Sequence, residues 1–180
     1  MSKLWFSSDL HLFHTNMWKL FTLADGSPAR PFSSDEEMHA TMLERHNAAV
    51  STTDHWWNLG DVTMLRSSAD KWKFVQLMKQ FNGHKRLILG NHDQYDMQTY
   101  RDAGFEKIKG SHRIGNLIFS HWPLHPESIC KDCVNVHGHI HQSPTPAGPY
   151  INISVEAINY TPVSLEWLQD KASDLIKETK

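Results

Sequence analysis

Five short stretches of this sequence set oxygen and imidazole side chains close together: Asp9-Leu10-His11, Gly60-Asp61, Gly90-Asn91-His92-Asp93, Ser120-His121 and Gly138-His139-Ile140-His141. In an extended chain, residues i and i+2 point to the same side, roughly 6.6 Å apart. Asp9 with His11, and His139 with His141, therefore offer paired donors toward one pocket. Glycines at 60, 90 and 138 let the chain turn sharply without a side chain blocking that pocket. The donor set contains no thiolate, which suits Mn, Fe, Zn or Ni better than a cysteine-rich zinc or an iron–sulfur cluster. Asp9, His11, Asp61, Asn91, His121, His139 and His141 make seven candidate ligands, more than one four-coordinate ion uses. A carboxylate shared by two ions ~3.5–4 Å apart accommodates them all, and such a pair activates a bridging water and clamps phosphoryl oxygens.

Taken singly, each stretch is weak. An Asp-x-His is usually structural, Gly-Asp is a turn, and Asn and Asp favour turns through local hydrogen bonds. Their meaning comes from position. Each follows a run of strand character, and in open α/β sheets ligands gather beyond the carboxyl ends of the strands.

The elements that would position these residues read as follows. Leu4 to Ser7 is a short apolar strand, and His55 to Leu59 is a second, stopped by Gly60-Asp61. Residues 33–50 form a helix, opened by two overlapping capping boxes in Ser33-Ser34-Asp35-Glu36-Glu37, with Met38, Met42, His46 and Ala49 on one face. Residues 68–82 carry Phe74, Leu77, Met78 and Phe81 at i, i+3, i+4 and i+7, an amphipathic helix whose apolar face Trp72 extends. Arg86 to Leu89 is a strand, followed by a helix ending near Ala103. Strands near 105–108, 113–120, 133–137 and 150–155 come next, and Leu165, Leu168, Ala172 and Leu175 mark a C-terminal helix. Alternation early and strands later predict sheets between helical layers, parallel at first and mixed afterwards.

With 180 residues, net charge −2 and two cysteines, the chain fits one domain, residues 1–180. Near-zero charge argues against a general grip on nucleic acid, so no stable nucleic-acid binding is expected. No apolar run reaches the ~18 residues of a spanning helix, and no membrane partner or signal peptide is expected. The two cysteines point to a reducing compartment and a cytoplasmic location. Of the thirteen histidines, five lie in the stretches above.

The chain resembles the calcineurin-like metallophosphoesterases, whose pattern runs D-x-H, G-D, G-N-H-[DE], a lone His, then G-H-x-H, all present here in order between residues 9 and 141. The tail Asn152 to Val163 is similar to small bacterial and phage-type members. The resemblance implies a four-layer α/β/β/α sandwich with two mixed sheets. It implies two divalent metal ions, manganese first among the choices. Asp9, His11 and His141 would hold the first ion, Asn91, His121 and His139 the second, and Asp61 would bridge them. His92 corresponds to the family's catalytic histidine, which protonates the leaving oxygen. Asp93 corresponds to the acidic residue that orients that imidazole. His14 corresponds to a second histidine and a substrate contact.

One departure bears on substrate. Protein phosphatases of the superfamily extend the second block to G-D-x-x-D-R-G, whereas here it reads Gly60-Asp61-Val62-Thr63-Met64-Leu65-Arg66. Protein-phosphatase activity is therefore not expected, and Arg66 reads as a solvated loop residue. Cys130-Lys131-Asp132-Cys133 lacks the second pair of a zinc site and the following helix of a redox motif, so it reads as two separate thiols. Trp122, next to His121, either stacks on a substrate ring at the site mouth or packs on Pro123.

The expected activity is hydrolysis of a small phosphodiester, a cyclic nucleotide among the candidates, by a metal-bridging hydroxide. A phosphomonoesterase is the alternative. A non-catalytic scaffold would typically have lost ligands or His92, and a metal store would not need His92. Oligomeric state is not legible in the sequence.

Overall fold

The computed structural model describes residues 2–178. A five-stranded sheet has the order β4-β3-β2-β1-β9, made of β1 (Leu4–Ser7), β2 (His55–Asn58), β3 (His84–Ile88), β4 (Phe105–Lys109) and β9 (Val163–Ser164). Its first four strands are parallel, and β9 runs antiparallel to β1. A four-stranded sheet follows the order β5-β6-β7-β8, from β5 (Ser111–Ile114), β6 (Leu117–Ser120), β7 (Val134–His137) and β8 (Tyr150–Asn152). Here β5 and β6 form an antiparallel hairpin, while β6, β7 and β8 are parallel. Both sheets are mixed, as expected.

Strand geometry sends neighbouring residues to opposite faces, and the core follows that rule. Trp56 and Leu87 face one apolar cluster with Met38, Met42, Phe74 and Tyr100, which come from the helices α2 (Asp35–Ala49), α3 (Lys71–Met78) and α4 (Met97–Asp102). Trp57 and Ile88, one residue further on, join Phe6, Phe119, Val134 and Val136 in a second cluster between the sheets. Helix α5 (Leu165–Glu178) adds Leu168 and Ala172 to that second cluster and lies against β1, β8 and β9. Each of these side chains, fully buried, contributes about 1.5–3 kcal/mol before entropy is counted.

Helix α2 starts where its caps predict. Ser34 Oγ accepts the Glu37 N–H, and the Glu37 carboxylate reaches back to the Ser33 N–H. One helix is additional to the sequence reading, and three expectations need correction. A short helix, α1 (Asn16–Lys19), was not foreseen; Thr15 just before it and Trp18 within it are tied to the Asp35 carboxylate, a tertiary anchor with no local signature. The single strand expected over 113–120 is split at Gly115, whose φ of +59° makes the β5–β6 turn. Helix α3 begins at Lys71, and Trp72 stands 59% exposed on its outer side instead of extending the apolar face. Cys130 and Cys133 are joined in a disulfide, because a turn brings the Cys133 N–H to the Cys130 carbonyl and the Cα atoms to 5.2 Å. The cysteines therefore lend no support to a reducing compartment. No helix among the described residues is long and apolar enough to cross a membrane.

Candidate metal centre

All five polar stretches lie at the carboxyl ends of strands. Asp9 and His11 follow β1, Asp61 follows β2, Asn91 and His92 follow β3, His121 follows β6, and His139 and His141 follow β7. The loops are laced together by their backbones: the Asp9 N–H donates to the Gly60 carbonyl, and the His11 N–H to the Asp61 carbonyl, both at 2.9 Å. Asp9, His11, Asp61, His139 and His141 all have positive φ, between 47° and 70°. Such backbone costs L-residues energy and persists where surrounding structure enforces it, often at functional sites. Gly138 shows the closeness required. A Cβ there would collide with the Ser8 hydroxyl and the Asp9 carboxylate, and one on Gly90 would collide with the Asp61 carboxylate.

The donors form two groups. Asp9, His11 and His141 make one, and Asp61, His121 and His139 the other, with the donor atoms of each group within 4.8 Å of one another. Asp61 Oδ2 lies 3.3 Å from His121 Nε2 and 3.6 Å from His11 Nε2, so it faces both groups. Asn91 Oδ1 lies 3.0 Å from His121 Nε2 and joins the second.

The hydrogen bonds fix which way the rings present themselves. His121 Nδ1 meets the Leu59 carbonyl at 2.9 Å, and a carbonyl can only accept, so Nδ1 carries the proton. In the neutral ring Nε2 is then a lone pair facing Asp61 Oδ2 and Asn91 Oδ1, three acceptors with no proton between them. Likewise His141 Nδ1 donates to Glu156 Oε1 at 3.0 Å, and its Nε2 is left toward Asp9 Oδ1 at 4.0 Å. Buried His11 has no hydrogen-bond partner on either ring nitrogen among the described residues. Converging, unprotonated donors of this kind match what a divalent cation needs.

The donor groups also shift one another's proton affinities. Burial pushes the Asp9 carboxyl up and holds the His11 imidazole well below its usual range, with Arg30 adding to the latter. Burial would raise Asp61 as well, but the His121 hydrogen bond and charge outweigh it and its pKa is lowered. Burial alone would lower His121, and the Asp61 and Asp9 carboxylates raise it instead.

A sequence model of the family described as calcineurin-like phosphoesterase matches residues 2–179. The chain belongs to that family. This calcineurin-like phosphoesterase is 31% identical to an uncharacterized protein of Methanocaldococcus jannaschii, over 92% of this chain and 89% of that one. It is 37% identical to the Gene 66 protein of Mycobacterium phage L5, over 78% of each chain. Its fold is similar to a crystal structure of a protein of unknown function from Aquifex aeolicus, with TM-score 0.69 and 23% identity, covering 94% of this chain and 99% of the other.

Around the centre of this phosphoesterase, His92 Nε2 lies 4.0 Å from Asp61 Oδ2, at the solvent side of the donors. Asp93 does not hold His92, contrary to expectation. Its Oδ2 accepts the N–H groups of Asp61 and Gly90 at 2.8 Å, and its Oδ1 accepts that of Val62 at 3.0 Å. Its role is to pin the second and third loops together; burial pushes its carboxyl up to about 6 despite these bonds. Arg66 is not simply solvated: its Nη2 reaches to 3.5 Å from His92 Nδ1. His14 stands beside His11, ring centroids 5.5 Å apart, and burial lowers it to about 4. Trp122 is 46% exposed, its ring edge-on to His121 at 4.9 Å and 6.0 Å from His139.

Two residues were missed by sequence reasoning. Fully buried Arg30 donates to the carbonyls of Asp9 and Leu10 at 2.6 and 2.7 Å and to Glu156 Oε1 at 2.8 Å. Glu156 is thus ion-paired to Arg30 while accepting from His141. Burial would raise its carboxyl, but Arg30 and His141 bring it down to about 2. The signal available was a lone arginine and a glutamate 126 residues away, which no spacing rule connects.

Proposed function

We propose that this calcineurin-like phosphoesterase hydrolyses a small phosphodiester at a two-metal centre, with manganese as its working ion. The observation that carries the reading is Asp61, whose Oδ2 stands 3.3 Å from one donor group's His121 and 3.6 Å from the other group's His11. Asp9, His11 and His141 would hold the first ion and Asn91, His121 and His139 the second, with Asp61 facing both. When bound, two divalent ions activate a water for in-line attack and neutralise the phosphoryl oxygens.

The chain's own residues supply the rest. His92, at the open side of the donors, gives a proton to the leaving oxygen; the Arg66 guanidinium stands 3.5 Å from its far nitrogen, at the same rim. Asp93 fixes the loop from which His92 projects. A cleft of about 930 Å³ leads away from His11, His92 and His141, giving room for the substituents of a diester.

Purified protein with Mn²⁺ should bind two ions and hydrolyse bis-p-nitrophenyl phosphate faster than p-nitrophenyl phosphate. Preference for the monoester would overturn the diester assignment. Binding of two ions with turnover of neither ester would overturn the hydrolase reading itself.

A further inference from the structure

The cleft beside the metal centre is chemically mixed. It is lined by His11, His92 and His141 together with apolar Met17, Phe21 and Leu23, on α1 and the loop that follows it. That loop is a small closed structure. The Leu23 N–H donates to the Ser27 carbonyl and Ala29 N–H to the Phe21 carbonyl, with a bridge between Thr22 and Pro28. The Arg30 N–H ties its end to the Met17 carbonyl at 3.1 Å. The loop therefore holds its apolar side chains out at a fixed place, where Phe21 stays 47% and Leu23 36% exposed.

Large apolar side chains grouped in water at a site mouth mark a contact surface. The Phe21 and His14 rings stand nearly perpendicular, at 87° with centroids 5.6 Å apart, so His14 takes at most one face of Phe21. A ring held in this way offers a planar face to a ligand. Thr22 and Ser143, which carry hydroxyls, line the same cleft, and the Gln142 amide nitrogen beside them donates to the Ala29 carbonyl. A planar group with a polar rim, stacked on Phe21, shares the cleft with these hydroxyls, which an alkyl chain could not engage. Few convergent polar groups on an apolar wall are what orient a bound small molecule.

We infer that Phe21 and the loop from Thr22 to Pro28 form a subsite for a planar aromatic substituent on the phosphodiester, a nucleobase being the fitting chemistry. The assignment rests on the phosphodiesterase reading and names the substrate class of that site. The phosphate lies at the histidines, and the base-bearing side of the ester extends over Phe21.

Three diesters with one leaving group test it: the p-nitrophenyl phosphodiesters of thymidine (5′-linked), methanol and octanol, assayed with the manganese-loaded protein. The thymidine ester should exceed the methyl ester in kcat/KM by roughly tenfold, the scale of one base stacked on an aromatic ring. Phe21→Ala should reduce that ratio by about the same factor, and Phe21→Leu, which keeps the apolar bulk without the planar face, should also reduce it. Leu20→Ala, on an exposed neighbour outside the cleft lining, should leave the ratio as it was. A thymidine-to-methyl ratio near one, a ratio insensitive to both Phe21 variants, or an octyl ester faster than the thymidine ester overturns the inference while the phosphodiesterase stands. Hydrolysis of none of the three overturns the phosphodiesterase and the subsite together.

Discussion

Glu156 Oε1 accepts the Nδ1 proton of His141 at 3.0 Å while the same oxygen receives Arg30 Nε at 2.8 Å. The carboxylate thereby fixes the tautomer and direction of His141, and the guanidinium fixes the carboxylate. Partners of this kind typically change metal affinity 10- to 100-fold when removed. Glu156→Ala should weaken binding of one ion by about that factor and leave the other, a difference that calorimetric titration with Mn²⁺ resolves. Arg30→Met should lower folding stability by about 3–5 kcal/mol, because it strands a buried carboxylate; equilibrium urea unfolding measures it.

The shared position of Asp61 makes a different claim. Asp61→Asn should cost binding at both ions, whereas His139→Ala should cost mainly one. Metal content per chain after dialysis, read by inductively coupled plasma spectrometry, separates them. Equal loss from the two variants would remove Asp61 from its place between the groups.

His92 should act after binding and not through it. His92→Ala is expected to retain two ions while losing about 10²- to 10⁴-fold in kcat, the usual range for a lost general acid. If metal content falls with activity, His92 belongs to the donor set instead.

The acid limb of stability is carried in part far from the centre. His46 packs edge-on against Trp56 and Phe81, and its Nε2–H donates to the Asn82 carbonyl. Burial lowers its pKa from 6.5 to about 4. The unfolded chain therefore binds a proton at this site between those values and the folded chain does not. Its contribution is complete above pH 6.5 and is lost as pH falls toward 4, on the order of 3 kcal/mol in full. His46→Gln, which keeps the N–H donor, should flatten the fall in urea midpoint over that window.

Much of this molecule is legible along the chain. Trp56-Trp57 on two faces, the α2 cap at Ser34 and the polar ends of β1, β2, β3, β6 and β7 follow from local pattern, because strand alternation and capping are local rules. What was missed is tertiary. Helix α1 owes its place to Asp35, nineteen positions after its first residue, and no periodicity reports that bond. Trp72 was misplaced because apolar type does not reveal where a helix begins. Asp93 was given to its neighbour in sequence, whereas its bonds go to backbone N–H groups of Asp61 and Val62 that only folding brings near.

The left-handed backbone at the donors has a consequence for durability. A non-glycine residue at φ near +60° costs on the order of 1–3 kcal/mol, so these positions weaken the scaffold that displays them. At His139, with φ +70°, glycine should give a higher melting temperature than alanine, the reverse of the usual order. Glycine there would remove one of the three donors of its group, so heat resistance and the donor set pull in opposite directions at this position.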